Sequence, residues 1–306
     1  MRNTLAIFRK VWLYAFLLLA AAYCVYFGMG QLHQLDRPLQ FSAPAALTVI
    51  VMQLSFWLVY SWLWSMLTAK VAGTKLGLWE SFRQQNLLML GKYLPGKVWG
   101  MLARGAAMRQ RGISTEGAVV ATCTDQLLVF HAALIVSAAL YWWLTRSAAA
   151  AAFVALSLCT LGLAPLLLRL AFVVYRYLTP TGARQMSAPF GIPIYLAFLS
   201  GHCLGWLING LLFSGIYYAF SNATPSLSAL ATLVLANTIG VTIGFLAFFA
   251  PGGIGVREAA TSGLLLTAMP LDQAIMLTVL FRLWLLSTDL LVGIPALLAA
   301  RTKAAS

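Results

Sequence analysis

The sequence predicts an all-α polytopic membrane protein of about seven to eight transmembrane helices, with two further segments that are interrupted by Pro-Gly. Composition is the first reason, because 61% of the 306 residues are hydrophobic and 9% are charged. A soluble domain has about a quarter of its residues charged. The second reason is that apolar runs of about 20 residues follow one another, and each is long enough to cross a bilayer as a helix. These runs lack the period-2 alternation of barrel strands.

Seven apolar runs are candidates for spanning helices. They cover residues 11–29, 44–68, 119–143, 148–168, 189–220, 227–250 and 271–299. Cytoplasmic loops of inner-membrane proteins are enriched in Lys and Arg, so Arg2, Arg9 and Lys10 predict a cytoplasmic N-terminus. The loop charges fit alternating cytoplasmic and outer loops through six spans. Arg301 and Lys303 then favour a cytoplasmic C-terminus, whereas seven crossings would place it outside. This conflict points to residues 251–270, which are apolar but too short for a crossing of their own.

The net charge of +13 does not indicate a nucleic-acid partner. Much of the basic charge lies in one segment after a predicted span, where it is typical of a cytoplasmic loop beside anionic lipid headgroups. The residues are Lys70, Lys75, Arg83, Lys92, Lys97, Arg104, Arg109 and Arg111. The four cysteines lie in apolar runs without metal-ligand spacing, so neither a metal site nor a cofactor is predicted.

Two short strings interrupt the helical pattern. One is GKYLPGKVWG, with Gly91, Pro95 and Gly96, and the other is APGGIGVREAA, whose Pro251 is followed by three glycines, Gly252, Gly253 and Gly255. Proline removes a backbone donor and glycine permits positive φ, so both strings break helices. A broken backbone at membrane depth is tolerated only inside the protein or beside a polar cavity. We therefore predict two re-entrant elements that act in gating.

The two strings also predict an internal repeat. They lie about half the chain apart, and each is followed by an arginine, Arg104 or Arg257. Paired interrupted segments in corresponding halves indicate an inverted-repeat transporter fold with a site near the midplane. The prediction is one integral membrane domain over residues 1–306, with repeat halves of about 1–145 and 146–306.

Charged residues inside the spans are candidate site residues, because a charge in lipid is costly and normally faces the protein interior. Arg282 and Asp289 are seven residues apart, which places them on one helical face. Each is either a structural charge or a contact for a headgroup or an ion. Asp125 lies near the start of its predicted span, where a capping or interfacial role is the alternative to function.

Three other features have a structural and a functional interpretation. His131 and His202 have no metal-ligand partners at suitable spacing, so hydrogen-bonded core histidines are the favoured reading. Arg257 and Glu258 follow the second glycine run, where backbone amides can converge on an anion. There Glu258 either orients Arg257, takes a proton, or caps the helix that begins at this point.

These residues resemble the lysylphosphatidylglycerol synthase transmembrane-region family, which includes the flippase half of the multiple-peptide-resistance factors. The resemblance is carried by GKYLPGKVWG with Arg104, by APGGIGVREAA, and by Arg282 in the last span. It implies translocation of a lipid or a lipid-linked glycan, with re-entrant elements around a central cavity. Bifunctional members carry an aminoacyl-transferase domain after the membrane part, whereas this sequence ends at Ser306, so lysyl transfer is not expected.

The sequence therefore predicts a flippase-like protein of the inner membrane, not an enzyme, that moves an anionic phospholipid or a polyprenyl-linked lipid. Lys92, Arg104, Arg257 and Arg282 would contact phosphate, Asp125 and Glu258 would balance charge, and Asp289 is a further substrate-binding candidate. Envelope-synthesis enzymes are the expected protein partners. The alternatives are a membrane transferase or scaffold in lipid-linked glycan synthesis, and a proton-coupled solute transporter using Asp125, His131 and Asp289. The sequence contains no P-loop motif, so ATP is not the expected energy source.

Overall fold

The computed structural model describes residues 42–93, 99–178, 191–221, 226–248 and 250–305. The predicted first span, residues 11–29, therefore lies outside the described residues, as do Pro95 and Gly96. The described residues form nine α-helices and one short 3₁₀ turn. The helices are α1 (Ala43–Val71), α2 (Leu78–Gly91), α3 (Trp99–Arg109), α4 (Thr115–Thr145), α5 (Ala148–Leu178), α6 (Ile192–Ser221), α7 (Leu227–Leu246), α8 (Val256–Leu265) and α9 (Leu271–Ala305).

Five of these helices are long and apolar enough to cross a membrane: α1, α4, α6, α7 and α9. The remaining predicted span, residues 148–168, lies within the longer helix α5. Large apolar side chains such as Leu47, Leu58 and Leu291 stay exposed on the outer faces, as expected where lipid replaces water. The predicted class, an all-helical multi-pass membrane protein, is confirmed.

The short helices lie where the sequence predicts interrupted segments. At 1.5 Å per residue, α2 is about 21 Å long and α3 and α8 are about 15 to 17 Å, so each reaches only part of the way across a bilayer. The turn Pro251–Gly253 separates α7 from α8. Helix α8 packs back along α7, because Gly240 lies against Thr261 and Gly244 lies against Arg257. The short apolar stretch at 251–270 is thus a half-helix beside a full span.

Two apolar clusters form the core around these elements. The first joins α1, α4 and α6 through residues such as Leu67, Leu128 and Leu199. The second joins α6, α7 and α9 through residues such as Phe213, Leu233 and Phe281. Small residues allow the close approach between helices that membrane packing needs. Gly201 and Gly205, for example, lie directly against Leu63 and Tyr60 of α1.

Glu80, in the first turn of α2, helps to fix the two short helices α2 and α3 to the rest of the protein. Its carboxylate accepts hydrogen bonds from Arg83 (2.7 Å), Arg111 (2.7 Å) and Gln84 (3.0 Å). Gln84 in turn accepts a hydrogen bond of 2.9 Å from the indole of Trp64 in α1. Burial alone would raise the pKa of Glu80, but these hydrogen bonds outweigh it and hold the pKa below its ordinary value.

We expect Glu80→Gln to lower the free energy of unfolding by about 1–3 kcal/mol, because two arginines lose a buried charged partner. Since folding lowers the pKa of Glu80, the stability it contributes is present at neutral pH and is lost as the pH falls through that lowered pKa. Unfolding in mixed micelles across an acidic pH series measures both effects. Glu116→Gln is the control, because Glu116 forms no ion pair with the described residues. Equal losses in the two variants would contradict the role of Glu80.

Candidate functional site

The two interrupted segments meet inside the protein. The backbone amide of Gly252 donates a 2.8 Å hydrogen bond to the carbonyl of Lys92, at the end of α2. Beside this contact lies a central cavity, whose envelope of about 1480 Å³ includes its open mouth. Its wall combines aromatic and amide side chains with four charged residues that the sequence singles out, Lys92, Asp125, Arg257 and Asp289.

Lys92 and Asp289 form an ion pair at the cavity wall. The Nζ atom of Lys92 lies 2.6 Å from Oδ2 of Asp289, and the hydroxyl of Tyr93 donates a 2.7 Å hydrogen bond to the same oxygen. The Lys92 side chain is 23% exposed and that of Asp289 is 9% exposed. Asp289 thus ties the last spanning helix to the tip of the first interrupted segment.

Arg257 reaches the same cavity from the second interrupted segment. Its Nη2 atom donates one long hydrogen bond, 3.4 Å, to Oδ1 of Asn237 in α7, and its guanidinium lies 5.1 Å from the ring centre of Phe281. Asn237 is held in turn by Asn209, at 2.7 Å. Among the described residues the bond to Asn237 is the one hydrogen bond that Arg257 makes, so its other donors can face a ligand in the cavity.

Arg282 and Glu258 lie on the other side of the break. Nη1 of Arg282 is 3.6 Å from Oε1 of Glu258 and donates a 2.8 Å hydrogen bond to the carbonyl of Gly252. Glu258 also accepts a 2.7 Å hydrogen bond from the amide of Gly255, so it does cap α8. Of the alternatives for Glu258, the cap is therefore present in the structure, and its ion-pair partner is Arg282. Both side chains line a separate apolar groove between α8 and α9.

Arg104 and Asp125 form a fully buried ion pair. Nη1 of Arg104 lies 2.9 Å from Oδ2 of Asp125, with side-chain exposures of 0% and 3%. The guanidinium stacks on the ring of Trp64, and the second carboxylate oxygen lies 3.4 Å from Nε2 of His202. The capping interpretation of Asp125 is wrong: α4 begins at Thr115 with Ser114 as its cap, so Asp125 lies well inside the helix.

The predicted gating glycines occupy tight positions. Gly252, Gly253 and Gly255 have φ values of +60°, +72° and +81°, which side chains rarely adopt. A Cβ atom on Gly253 would lie 2.7 Å from the carbonyl oxygen of Gly244. Gly91 packs directly on the backbone of Gly100, which joins α2 to α3. The 3₁₀ turn begins at Pro251. Their role in gating stays a prediction.

The structure thus divides the predicted site. It brings Lys92, Arg257 and Asp289 together at the central cavity, and Asp125 reaches the same cavity. It does not bring Arg104 or Arg282 there, since each is held by its own carboxylate. Sequence reasoning missed Tyr93, Asn209 and Asn237; an amide inside an apolar span is the signal that could have found the last two. Among the described residues no cluster of His, Cys, Asp or Glu could hold a metal.

The family profile described as Lysylphosphatidylglycerol synthase TM region matches residues 11–293. The chain belongs to this family. The match covers the five apolar spans and both interrupted segments. Membership in the lysylphosphatidylglycerol synthase TM region family connects the chain with lipid and cell-envelope functions. No curated protein and no solved structure gives a match.

We expect Arg104→Gln and Asp125→Asn each to lower the free energy of unfolding by about 3–5 kcal/mol, because each breaks a buried ion pair by removing one partner. The double variant should cost clearly less than the sum, since neither member of the Arg104–Asp125 pair is left without the other. Unfolding in mixed micelles gives all three values. Asp272→Asn, at an exposed carboxylate, should change stability by no more than about 0.5 kcal/mol. Additive costs would mean that the pair does not act as a unit.

Gly252→Ala should displace Arg282, because the added Cβ would lie 2.7 Å from its Nη2 atom and 3.1 Å from the ring of Tyr93. With the strain of positive φ, we expect a loss of about 1–3 kcal/mol. In an Arg282→Lys background the same change should cost at least about 0.5 kcal/mol less, since the crowded nitrogen is gone. Unfolding of the four proteins in the cycle measures this coupling. Equal costs in both backgrounds would place the strain in the backbone alone.

Proposed function

We propose that this protein is a flippase-like transporter that moves an anionic phospholipid or a polyprenyl-linked lipid between leaflets during envelope biogenesis. The observation that carries the proposal is the shared position of Lys92 and Arg257. They come from different interrupted segments, and they line one cavity inside a bundle of apolar spans. A cavity in which two broken helices each present a basic side chain matches the arrangement in which broken helices hold a substrate between repeats.

The charge balance of the cavity wall favours an anion. Asp289 pairs with Lys92, Asp125 with Arg104 and Glu258 with Arg282, whereas Arg257 forms no ion pair of its own among the described residues. A guanidinium presents a planar fork of donors that suits a phosphate group. Asn209 and Asn237 add amide groups beside it. A phosphate would therefore replace the weak Arg257–Asn237 hydrogen bond with a charged one.

The walls of the cavity suit the rest of a lipid. Phe56, Trp57 and Phe245 are among its apolar lining residues. In the proposed mechanism the headgroup crosses inside the cavity, where the cations compensate its charge, while the hydrocarbon tails stay in the bilayer. The glycine residues of the two interrupted strings supply the backbone freedom for opening and closing.

The same proposal covers location and partners. Lys70, Lys75, Arg109 and Arg111 flank the short helices, so we place this side in the cytoplasm and the protein in the inner membrane, with a cytoplasmic N-terminus. Membrane lipids are the substrates, and envelope-synthesis enzymes that make or use such lipids are the proposed partners. In this scheme the protein moves a lipid and performs no covalent chemistry.

The test is leaflet exchange in liposomes. Purified protein should accelerate the exchange of a fluorescent phosphatidylglycerol or a labelled polyprenyl phosphate. Arg257→Gln should slow it by about 10- to 100-fold, the equivalent of one charged hydrogen bond of about 1.5–3 kcal/mol. Lys75→Gln, which removes an exposed cation from a loop, is the matched control and should exchange lipid at the wild-type rate.

The leaflet-exchange measurements must distinguish selection of the headgroup from damage to the membrane. Leakage of an encapsulated dye reports damage, and circular dichroism with gel filtration reports folding. If folded wild-type protein accelerates neither lipid, the flippase proposal is wrong. If Arg257→Gln and Lys75→Gln behave alike, the cavity cation is not the phosphate contact.

A further inference from the structure

A second charged group of the central cavity is built around Asp125, on helix α4. Its Oδ2 atom lies 2.9 Å from Nη1 of Arg104, on the half-helix α3, and its Oδ1 atom lies 3.4 Å from Nε2 of His202, on α6. The side chains of Arg104 and His202 are fully buried. Asp125 itself belongs to the cavity wall, which gives the group a route for exchange with the cavity.

The hydrogen bonds of His202 require two protons on its ring. Its Nδ1 atom lies 2.8 Å from the carbonyl oxygen of Phe198, and a carbonyl oxygen only accepts, so Nδ1 carries a proton. The Nε2 atom then faces Oδ1 of Asp125, which is also an acceptor when the carboxylate is ionised. Two acceptors would face each other in a dry interior unless a further proton lies between them. The ion pair with Arg104 holds the Asp125 carboxylate ionised, so Nε2 of His202 carries this proton.

The surroundings leave Arg104 and Asp125 as the charged partners of this proton. The ring of Tyr60, on α1, approaches His202 edge-on with ring centres 5.7 Å apart. Cys203 is the next residue on α6, and its thiol is directed to the carbonyl of Ala132. Among the described residues, no further charged side chain forms an ion pair with His202. The group therefore has a single positive charge when the proton is bound and none when it leaves.

We propose that Asp125 and His202 bind one exchangeable proton, and that this proton is linked to binding of an anionic headgroup in the central cavity. The second part rests on the proposed function. A headgroup phosphate favours the form of the protein with the additional positive charge at the cavity wall. Linkage is reciprocal, so anion binding takes up a proton and a fall in pH strengthens anion binding. The proton comes from the cavity and returns to it when the lipid leaves.

His131 provides a matched control within the same protein. Thr160 donates its hydroxyl proton to the carbonyl of Ser157, so its oxygen accepts from Nε2 of His131, at 2.8 Å. The hydroxyl of Tyr195 donates to Nδ1, at 2.7 Å. One ring proton is enough for both contacts, so these contacts do not require a charged ring. The two buried histidines differ because one faces hydroxyl groups and the other faces a carboxylate.

The first experiment detects the proton directly. Full-length protein labelled with ¹⁵N-histidine, in lipid nanodiscs, is followed by NMR between about pH 5 and 8, the range in which histidine charge is normally lost. Single His→Asn variants assign the signals. We expect His202 to be doubly protonated at the acidic end and His131 to be singly protonated throughout. A singly protonated His202 across the whole range would overturn the proposal.

The second experiment tests the linkage without using transport. The affinity of the nanodisc protein for short-chain phosphatidylglycerol is measured by tryptophan fluorescence at each pH. In the wild type and in His131→Asn, affinity should fall as the pH rises over the range in which NMR reports loss of the proton, by up to about tenfold per pH unit for one linked proton. In His202→Asn this dependence should disappear.

The two experiments separate the ways to fail. If NMR reports the proton but wild-type affinity is independent of pH, or if His202→Asn keeps the wild-type dependence, the linkage is wrong. If no phosphatidylglycerol binds at any pH while His202 still titrates, the proposed lipid site fails and the linkage fails with it, whereas the proton site stands. Gel filtration of His202→Asn and His131→Asn confirms that both variants are folded.

Discussion

The hydrogen bond from the Gly252 amide to the Lys92 carbonyl joins the two interrupted segments, and neither segment could pair its exposed backbone groups alone. Each Pro-Gly interruption leaves backbone donors and acceptors without helical partners, and lipid offers none. Here one break supplies part of what the other lacks. The cavity follows from this constraint, because two half-helices that end inside a bundle leave space beyond their tips. Lys92 and Arg257 enter that space because each is next to a break.

The same need for internal partners explains the arrangement of charges. Lys92 pairs with Asp289, Arg104 with Asp125, and Arg282 with Glu258. Each pair connects an interrupted segment to another helix, so removal of either member would both unbalance charge and loosen the contact between that segment and the helix. Arg257 differs because its hydrogen bond goes to a neutral amide. A cation that the fold does not neutralise is the natural point for a ligand anion to bind.

The sequence predicted the spans and both interruptions, because span length and Pro-Gly chemistry are local properties. It could not predict how the charges pair. Arg282 and Asp289 do share a buried face, as their spacing indicates. Their spacing of seven residues also places them about 10 Å apart along the helix axis, so the two side chains line different pockets. The pairing of Arg104 with Asp125 depends on how α3 docks against α4, which no local pattern encodes.

The two buried histidines show where chemistry depends on tertiary packing alone. Both lie in long apolar helices, and their sequence context favoured the same structural role. His131 meets the hydroxyl groups of Thr160 and Tyr195, which can donate or accept as required, so these contacts do not require a charged ring. His202 meets a carbonyl and a carboxylate, which only accept when the carboxylate is ionised. A hydroxyl group can donate or accept, so it accommodates an imidazole ring with one proton or with two. Two groups that only accept instead require a proton on each ring nitrogen. In the proposed scheme the charge that His202 adds beside the cavity wall therefore depends on Asp125, the residue that its ring faces.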